Sequence, residues 1–77
     1  MITASQIRGA RALLGWTGQE LADRCGISLK TLRRYEPQSG IPVGSKKALA
    51  SIEEVLKNAG IEFTGDPLKN PGVTLHL

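Results

Sequence analysis

Residues 16–36, "WTGQELADRCGISLKTLRRYE", contain two short stretches in which apolar residues recur at helical spacing. A cysteine-glycine-isoleucine run at 25–27 joins the two stretches. Helices that are joined by a turn of about three or four residues containing a glycine meet at a steep angle. Gly26 would make this turn, and the small side chain of Ala22 would let the second helix approach the first closely.

The second of these helices has an apolar side and a basic side. Ile27, Leu32 and Tyr35 would fix it to the core from one side only. A helix that projects in this way fits the major groove of B-DNA, where its first residues meet base edges and its cations reach guanine or phosphate. We therefore predict a recognition helix over residues 28–36. Its projecting side carries Ser28, Leu29, Lys30, Arg33 and Arg34.

Capping signals predict where four helices begin. "TASQ" at 3–6 and "TGQE" at 17–20 have the form of capping boxes, and Ser28 and Ser45 are further N-cap residues. The fourth helix would be the longest, with a broad apolar face. The four helices are expected to end at Gly15, Gly26, Pro37 and Gly60.

After residue 60 the apolar period changes from 3.6 to 2, which indicates strands. Ile61–Thr64 and Val73–Leu77 both alternate, and residues 65–72 between them are rich in turn formers. We predict two short strands, either as a β-hairpin or as a separate pair. Packing on the fourth helix would cover their apolar face within the monomer.

A chain of 77 residues with 40% hydrophobic content is long enough for one folded domain and too apolar for disorder. The predicted fold class is mainly α: a compact four-helix domain with a central helix-turn-helix, plus the short C-terminal β-hairpin or pair of strands. We expect one domain over 1–77. Its helical body would cover 1–60, and the strands at 61–77 are a candidate dimerisation element.

The net charge of +3 is unevenly spread. Residues 1–38 carry six Lys and Arg against three Asp and Glu, whereas residues 39–77 carry four against four, so the first part holds +3 and the second none. This asymmetry indicates a side that faces a polyanion. A solvated basic face is the alternative, and composition does not separate the two.

Enzyme chemistry has little support in this sequence. There is no Cys/His pair at useful spacing, no phosphate-binding loop and no base beside a plausible nucleophile, so we expect no catalysis, no cofactor and no metal. The only histidine, His76, is expected on the polar side of a strand, at the surface. The only cysteine, Cys25, is expected to be a small buried hydrophobe, and a single cysteine fits a reducing compartment.

No apolar run of signal-peptide type begins the sequence, and no stretch approaches the length that crosses a membrane. We therefore expect a cytoplasmic location and no membrane partner.

The segment "IRGARALLGWTGQELADRCGISLKTLRRYE" resembles the Xre-type helix-turn-helix proteins, which include phage repressors and Cro. The resemblance extends from Ile7 to about Ala59. It implies a bacterial or phage-encoded protein with a compact helical DNA-binding domain. In that family the third helix reads the major groove, and the protein usually binds a palindromic operator as a dimer.

The resemblance also implies roles for individual residues of the third helix. Arg34 matches a position that usually faces the DNA backbone or neighbouring bases. Two of these assignments have an alternative. Leu29 could touch a thymine methyl group or simply favour the helix. Arg33 and Arg34 could contact DNA or form a solvated face. The positions that usually face bases are those of Ser28, Leu29, Lys30 and Arg33.

Outside the third helix the resemblance is uneven. Arg11 and Glu36 match a pair that often forms an ion pair between the first and third helices. Gly18 departs from the family, which commonly places a phosphate-binding glutamine there, and Gln19 would point elsewhere. Thr17 and Gln19 remain candidate DNA contacts, because backbone N–H groups at a helix start can still hold phosphate.

Ser45, Lys46 and Lys47 lie at the start of the fourth helix. Positive charge there opposes the helix dipole by a few tenths of a kcal/mol, roughly, and a bound anion would remove that cost. We favour phosphate contact for these residues over a purely solvated role.

Together these features predict a sequence-specific transcriptional regulator, repressor-like, that binds double-stranded DNA. An antitoxin-like module that binds a partner protein through the fourth helix and the C-terminal strands is the alternative. RNA fits poorly, because its major groove is too narrow for this helix. The strand at 73–77 has no proline or lysine to protect its edge, so we expect a homodimer through the C-terminal strands.

Overall fold

The structure is a computed structural model that describes residues 2–77. Within this range it is mainly helical and ends in a two-stranded antiparallel sheet, which confirms the predicted fold class. The longest helix has 13 residues, and no described helix has both the length and the apolar character needed to cross a membrane. The elements are α1 (Ala4–Leu14), α2 (Gly18–Cys25), α3 (Leu29–Tyr35), α4 (Lys46–Asn58), β1 (Ile61–Thr64) and β2 (Gly72–Leu75).

All four helices begin where the capping signals predicted. Each N-cap hydroxyl accepts a hydrogen bond from the backbone N–H three residues later, and both predicted capping boxes are formed. Gly26, with φ of 70°, makes the tight turn after α2, and the N–H of Ile27 donates to the carbonyl of Ala22 across it at 3.1 Å. Local signals are sufficient here because each one acts within a few residues.

The hairpin prediction is confirmed, but the second strand is displaced from its predicted bounds. Ile61 pairs with Leu75 and Thr64 with Gly72, so β2 is Gly72–Leu75 rather than Val73–Leu77. Beyond Leu75 one further bond joins the two segments, from His76 N to Gly60 O at 2.8 Å, and Gly60 lies between the C-cap of α4 and the start of β1. The last two residues therefore extend past the sheet.

The core lies where α1 to α4 meet, and the sheet covers one side of it. The expectation that the fourth helix alone would cover the strands is incomplete: β1 lies against α4, but β2 lies against α1. Gly9 allows this approach, since a Cβ at that position would be 3.2 Å from Val73 Cγ2. The fully buried side chains include Ile7, Leu21, Leu32, Tyr35, Ile52 and Leu56.

Gln6 ties the hairpin to the first helix. Its side chain is almost fully buried, with Nε2 donating to Gly72 O at 2.9 Å and Oε1 accepting from Thr3 N at 2.9 Å. One amide therefore completes the cap of α1 and satisfies a backbone carbonyl of β2.

Replacement of Gln6 by alanine is expected to lower the free energy of unfolding by about 1–2 kcal/mol, because buried backbone groups lose their partners. Urea denaturation followed by circular dichroism measures this. Gln19→Ala is the matched control: its amide is exposed and donates within its own helix to Asp23, so its effect should stay below about 0.5 kcal/mol. Equal effects of the two substitutions would contradict the assigned role of Gln6.

Candidate nucleic-acid interface

α3 is held to the body by one side and presents its basic side to solvent. Leu32 and Tyr35 are 0% and 1% exposed, while Lys30, Arg33 and Arg34 are all exposed. α2 and α3 pack against each other across the Gly26 turn, as the sequence predicted. The result is a short helix that offers three cations on its outer side.

Leu29 differs from the expectation that it projects with the cations. It is only partly exposed and packs against the core, and its Cδ1 is 3.2 Å from the place where a Cβ of Gly18 would lie. The missing side chain at Gly18 leaves room that Leu29 fills. The small residue at position 18 and the inward position of Leu29 are therefore complementary.

Three other cations of the first part of the chain are engaged inside the protein. Arg8 Nη1 donates to the backbone carbonyl of Glu36, and the Arg24 guanidinium lies 4.2 Å from the centre of the Trp16 ring. Arg11 Nη1 donates to Trp16 O at 3.2 Å. Lys30, Arg33 and Arg34, in contrast, have no acidic partner within residues 2–77.

Arg11 and Glu36 form the ion pair that the resemblance implies. Arg11 Nε is 3.0 Å from Glu36 Oε2, and the two side chains are 29% and 12% exposed. Because Glu36 caps the C-terminus of α3, this pair connects α1 to the end of the basic helix.

At the start of α2 the candidate side chains are already hydrogen-bonded within the helix. Thr17 Oγ1 accepts from Glu20 N at 3.1 Å, and Gln19 Nε2 donates to Asp23 Oδ1 at 2.8 Å. Both residues are exposed, yet both side chains already have partners within α2. Ser28 is likewise exposed and already hydrogen-bonded: its hydroxyl caps α3 by accepting from Thr31 N at 3.1 Å.

The start of α4 lies next to the end of α3. Ser45 N donates to the Tyr35 hydroxyl at 3.2 Å, and Ser45 Oγ accepts from Ala48 N at 3.2 Å. Lys46 and Lys47 are exposed in the first turn of α4, which contains no acidic residue. The start of α2 thus adjoins Leu29 at the beginning of α3, and the start of α4 adjoins Tyr35 at its end.

Two chemically reactive side chains lie apart from this surface. Cys25 is partly rather than fully buried, and desolvation raises the pKa of its thiol to about 11, so the thiol stays protonated near neutral pH. His76 is exposed, and its Nε2 is 2.6 Å from Glu62 Oε1 on the solvent side of the hairpin.

Comparison with known proteins identifies the class of the chain's central segment. Residues 7–37 match the family described as helix-turn-helix, a span that runs from α1 to just beyond α3. A search of curated proteins gave no match. The family match confirms the resemblance to the Xre and Cro type: residues 7–37 are a helix-turn-helix of that family, and the protein is a DNA-binding regulator in kind. This family is not typically enzymatic.

Proposed function

We propose that the protein is a sequence-specific, repressor-like transcriptional regulator that places α3 in the major groove of double-stranded DNA. One observation carries this proposal. Lys30, Arg33 and Arg34 are exposed and have no acidic partner among the described residues, and they lie on the side of α3 opposite to the buried Leu32 and Tyr35. Such a helix can approach DNA with its cations in front and without disturbing the core.

We assign base contacts first to Arg33 and Lys30, because an arginine can donate two hydrogen bonds to one guanine edge. Ser28 lies at the start of α3, where a helix in the groove comes nearest to the bases. Leu29 is a weaker candidate, since it packs inward. The residues assigned to the DNA backbone are Thr17 and Gln19 at the start of α2, Arg34 on α3, and Ser45, Lys46 and Lys47 at the start of α4.

We further propose that the protein acts in the cytoplasm as a homodimer on a palindromic operator. One short recognition helix makes too few contacts for tight specific binding, and two of them would read half-sites about 34 Å apart. Residues 61–77 would be the dimerisation element of a single domain over 1–77. Pairing of the β2 edges of two copies would make one four-stranded sheet.

Arg33→Ala is expected to weaken operator binding by about 1–3 kcal/mol and to relax the preference at one base position. Lys46→Ala should weaken operator and random DNA alike and reduce the salt dependence of log K by about one unit. The operator is first obtained by selection from random duplexes with the purified chain. Titrations of both variants at several salt concentrations then separate the two roles.

Lys69→Ala is the control for these titrations, because Lys69 is an exposed cation in the loop between the strands and is assigned no DNA contact. Equal losses of operator and random-DNA affinity in Arg33→Ala would contradict its base-reading role. A selection that yields no preferred sequence would favour the antitoxin-like alternative. In support of that alternative, a groove beside α4 has a mainly apolar lining with two charged residues at its border, and it consists of Ile2, Ile41, Lys46, Leu49, Ala50 and Glu53.

A further inference from the structure

The loop between α3 and α4 is braced by the side chain of Gln38. Its Nε2 donates to Arg34 O at 2.8 Å and to Val43 O at 3.3 Å, and its Oε1 accepts from Val43 N at 2.9 Å. Both ends of the amide are therefore used. One side chain connects the last turn of α3 to the residue that lies two positions before the cap of α4.

Tyr35 supports the same loop from the core side. Its ring is 1% exposed, and its hydroxyl accepts the N–H of Ser45, the cap of α4, at 3.2 Å. The loop passes so close to this ring that a Cβ at Gly44 would lie 2.7 Å from the Tyr35 hydroxyl oxygen. Glycine at position 44 is thus needed for close approach.

The middle of the loop is attached to α1. Gly40 O accepts a hydrogen bond from Ala4 N at 2.9 Å. The ten residues between α3 and α4 are therefore held at both ends and in the middle, although they form no helix or strand.

We propose that Gln38 and Tyr35 are positioning residues that fix the basic start of α4 relative to the base-reading side of α3. The inference rests on the proposed function, in which Arg33 reads bases while Lys46 binds phosphate. If the loop between α3 and α4 were flexible, the base contact could form without the phosphate contact. The loop would then have to become ordered for both to form, and this ordering would lower the affinity. With the braces in place, both contacts are preorganised and form together.

Gln38→Ala in the full chain tests this proposal. We expect about a threefold to tenfold loss of affinity for operator and random DNA alike, because the loop must then be ordered on binding. The base preference found by selection should be unchanged. The salt dependence of log K should stay that of the parent chain, because the phosphate contact still forms once the loop is ordered in the complex.

A double substitution separates positioning from a merely structural role. If Gln38 acts through Lys46, adding Lys46→Ala to Gln38→Ala should cost much less affinity than Lys46→Ala costs in the parent chain. Loss of stability alone would leave the two effects multiplicative when all variants are folded, which thermal melts verify. Tyr35→Phe, which keeps the ring and removes only the hydroxyl, should show the same non-multiplicative pattern.

The possible failures are distinguishable. If Lys46→Ala reduces the salt dependence but its effect multiplies fully with that of Gln38→Ala, the brace is overturned and the proposed function stands. If Lys46→Ala leaves the salt dependence unchanged, the phosphate contact at α4 is wrong and the positioning role is overturned with it. If Gln38→Ala changes the preferred base as Arg33→Ala does, Gln38 does not act through α4.

Discussion

Methylation of the Leu75 backbone nitrogen should convert the proposed operator-binding homodimer into a monomer with unchanged helical content. The bond from His76 N to Gly60 O fixes the pattern of the hairpin, because hydrogen-bonded pairs alternate with non-bonded ones in an antiparallel ladder. Ile61 and Leu75 are therefore a non-bonded pair. The backbone N–H of Leu75 points away from β1, at the edge where a second copy would pair.

The expected effect on DNA binding is large. When two half-sites are read by one dimer, the second contact is effectively intramolecular, and losing it lowers overall affinity by about 10²–10⁴-fold. Sedimentation equilibrium measures the dimer, and operator titration measures the cooperativity. The modified chain can be assembled by chemical ligation at Cys25, which divides it into two synthetic segments.

Methylation of the Phe63 nitrogen is the matched control. Phe63 pairs with Val73 in the other non-bonded pair, so its N–H points to the outer edge of β1 instead. The dimer should survive this change. A parent chain that sediments as a monomer, both alone and on its operator, would refute dimerisation, and loss of the dimer only in the Phe63 variant would place the interface on β1.

Glu36→Ala is expected to lower the free energy of unfolding by about 2–4 kcal/mol. Removing one member of a buried ion pair costs about 3–5 kcal/mol, whereas an exposed pair contributes at most about 1 kcal/mol. The Glu36 side chain is 12% exposed and that of Arg11 is 29%, so the pair lies nearer to the buried limit. Guanidinium denaturation at neutral pH measures the loss.

A double-mutant cycle with Arg11→Met isolates the pair itself. We expect a coupling energy of about 1–3 kcal/mol, because the two charges are in direct contact. The bond from Arg8 to the Glu36 carbonyl involves only the backbone of residue 36, so it is retained in both variants. Additive losses in the cycle would show that the two residues do not stabilise each other.

Much of this fold is predictable because its signals are local. Thr3, Thr17, Ser28 and Ser45 each cap a helix through a bond to an N–H only three residues away, and the change of apolar period marks the hairpin. The contact between β2 and α1 is different. It depends on the bond from Gln6 to Gly72, which are 66 residues apart, and no local pattern indicates that pairing.

The candidate interface shows the same division. The exposed position of Lys30, Arg33 and Arg34 follows from the helical period of α3. The charge count alone does not reveal that Arg8 and Arg24 have partners inside the protein. Helical spacing gives one partial signal for Arg8: it lies one turn before Arg11, on the same side of α1.

The contact between positions 18 and 29 also restricts how this protein can change over time. A glutamine at position 18 would place a Cβ 3.2 Å from Leu29 Cδ1, so Leu29 must shift by a few tenths of an ångström to accept it. Shortening Leu29 first would instead leave a void beside the core. The side chains at positions 18 and 29 therefore compete for the same space, and a change at one alters the packing of the other. Glycine with leucine, or a larger residue at 18 with a smaller one at 29, are therefore the pairs that fill this space without displacing a neighbour.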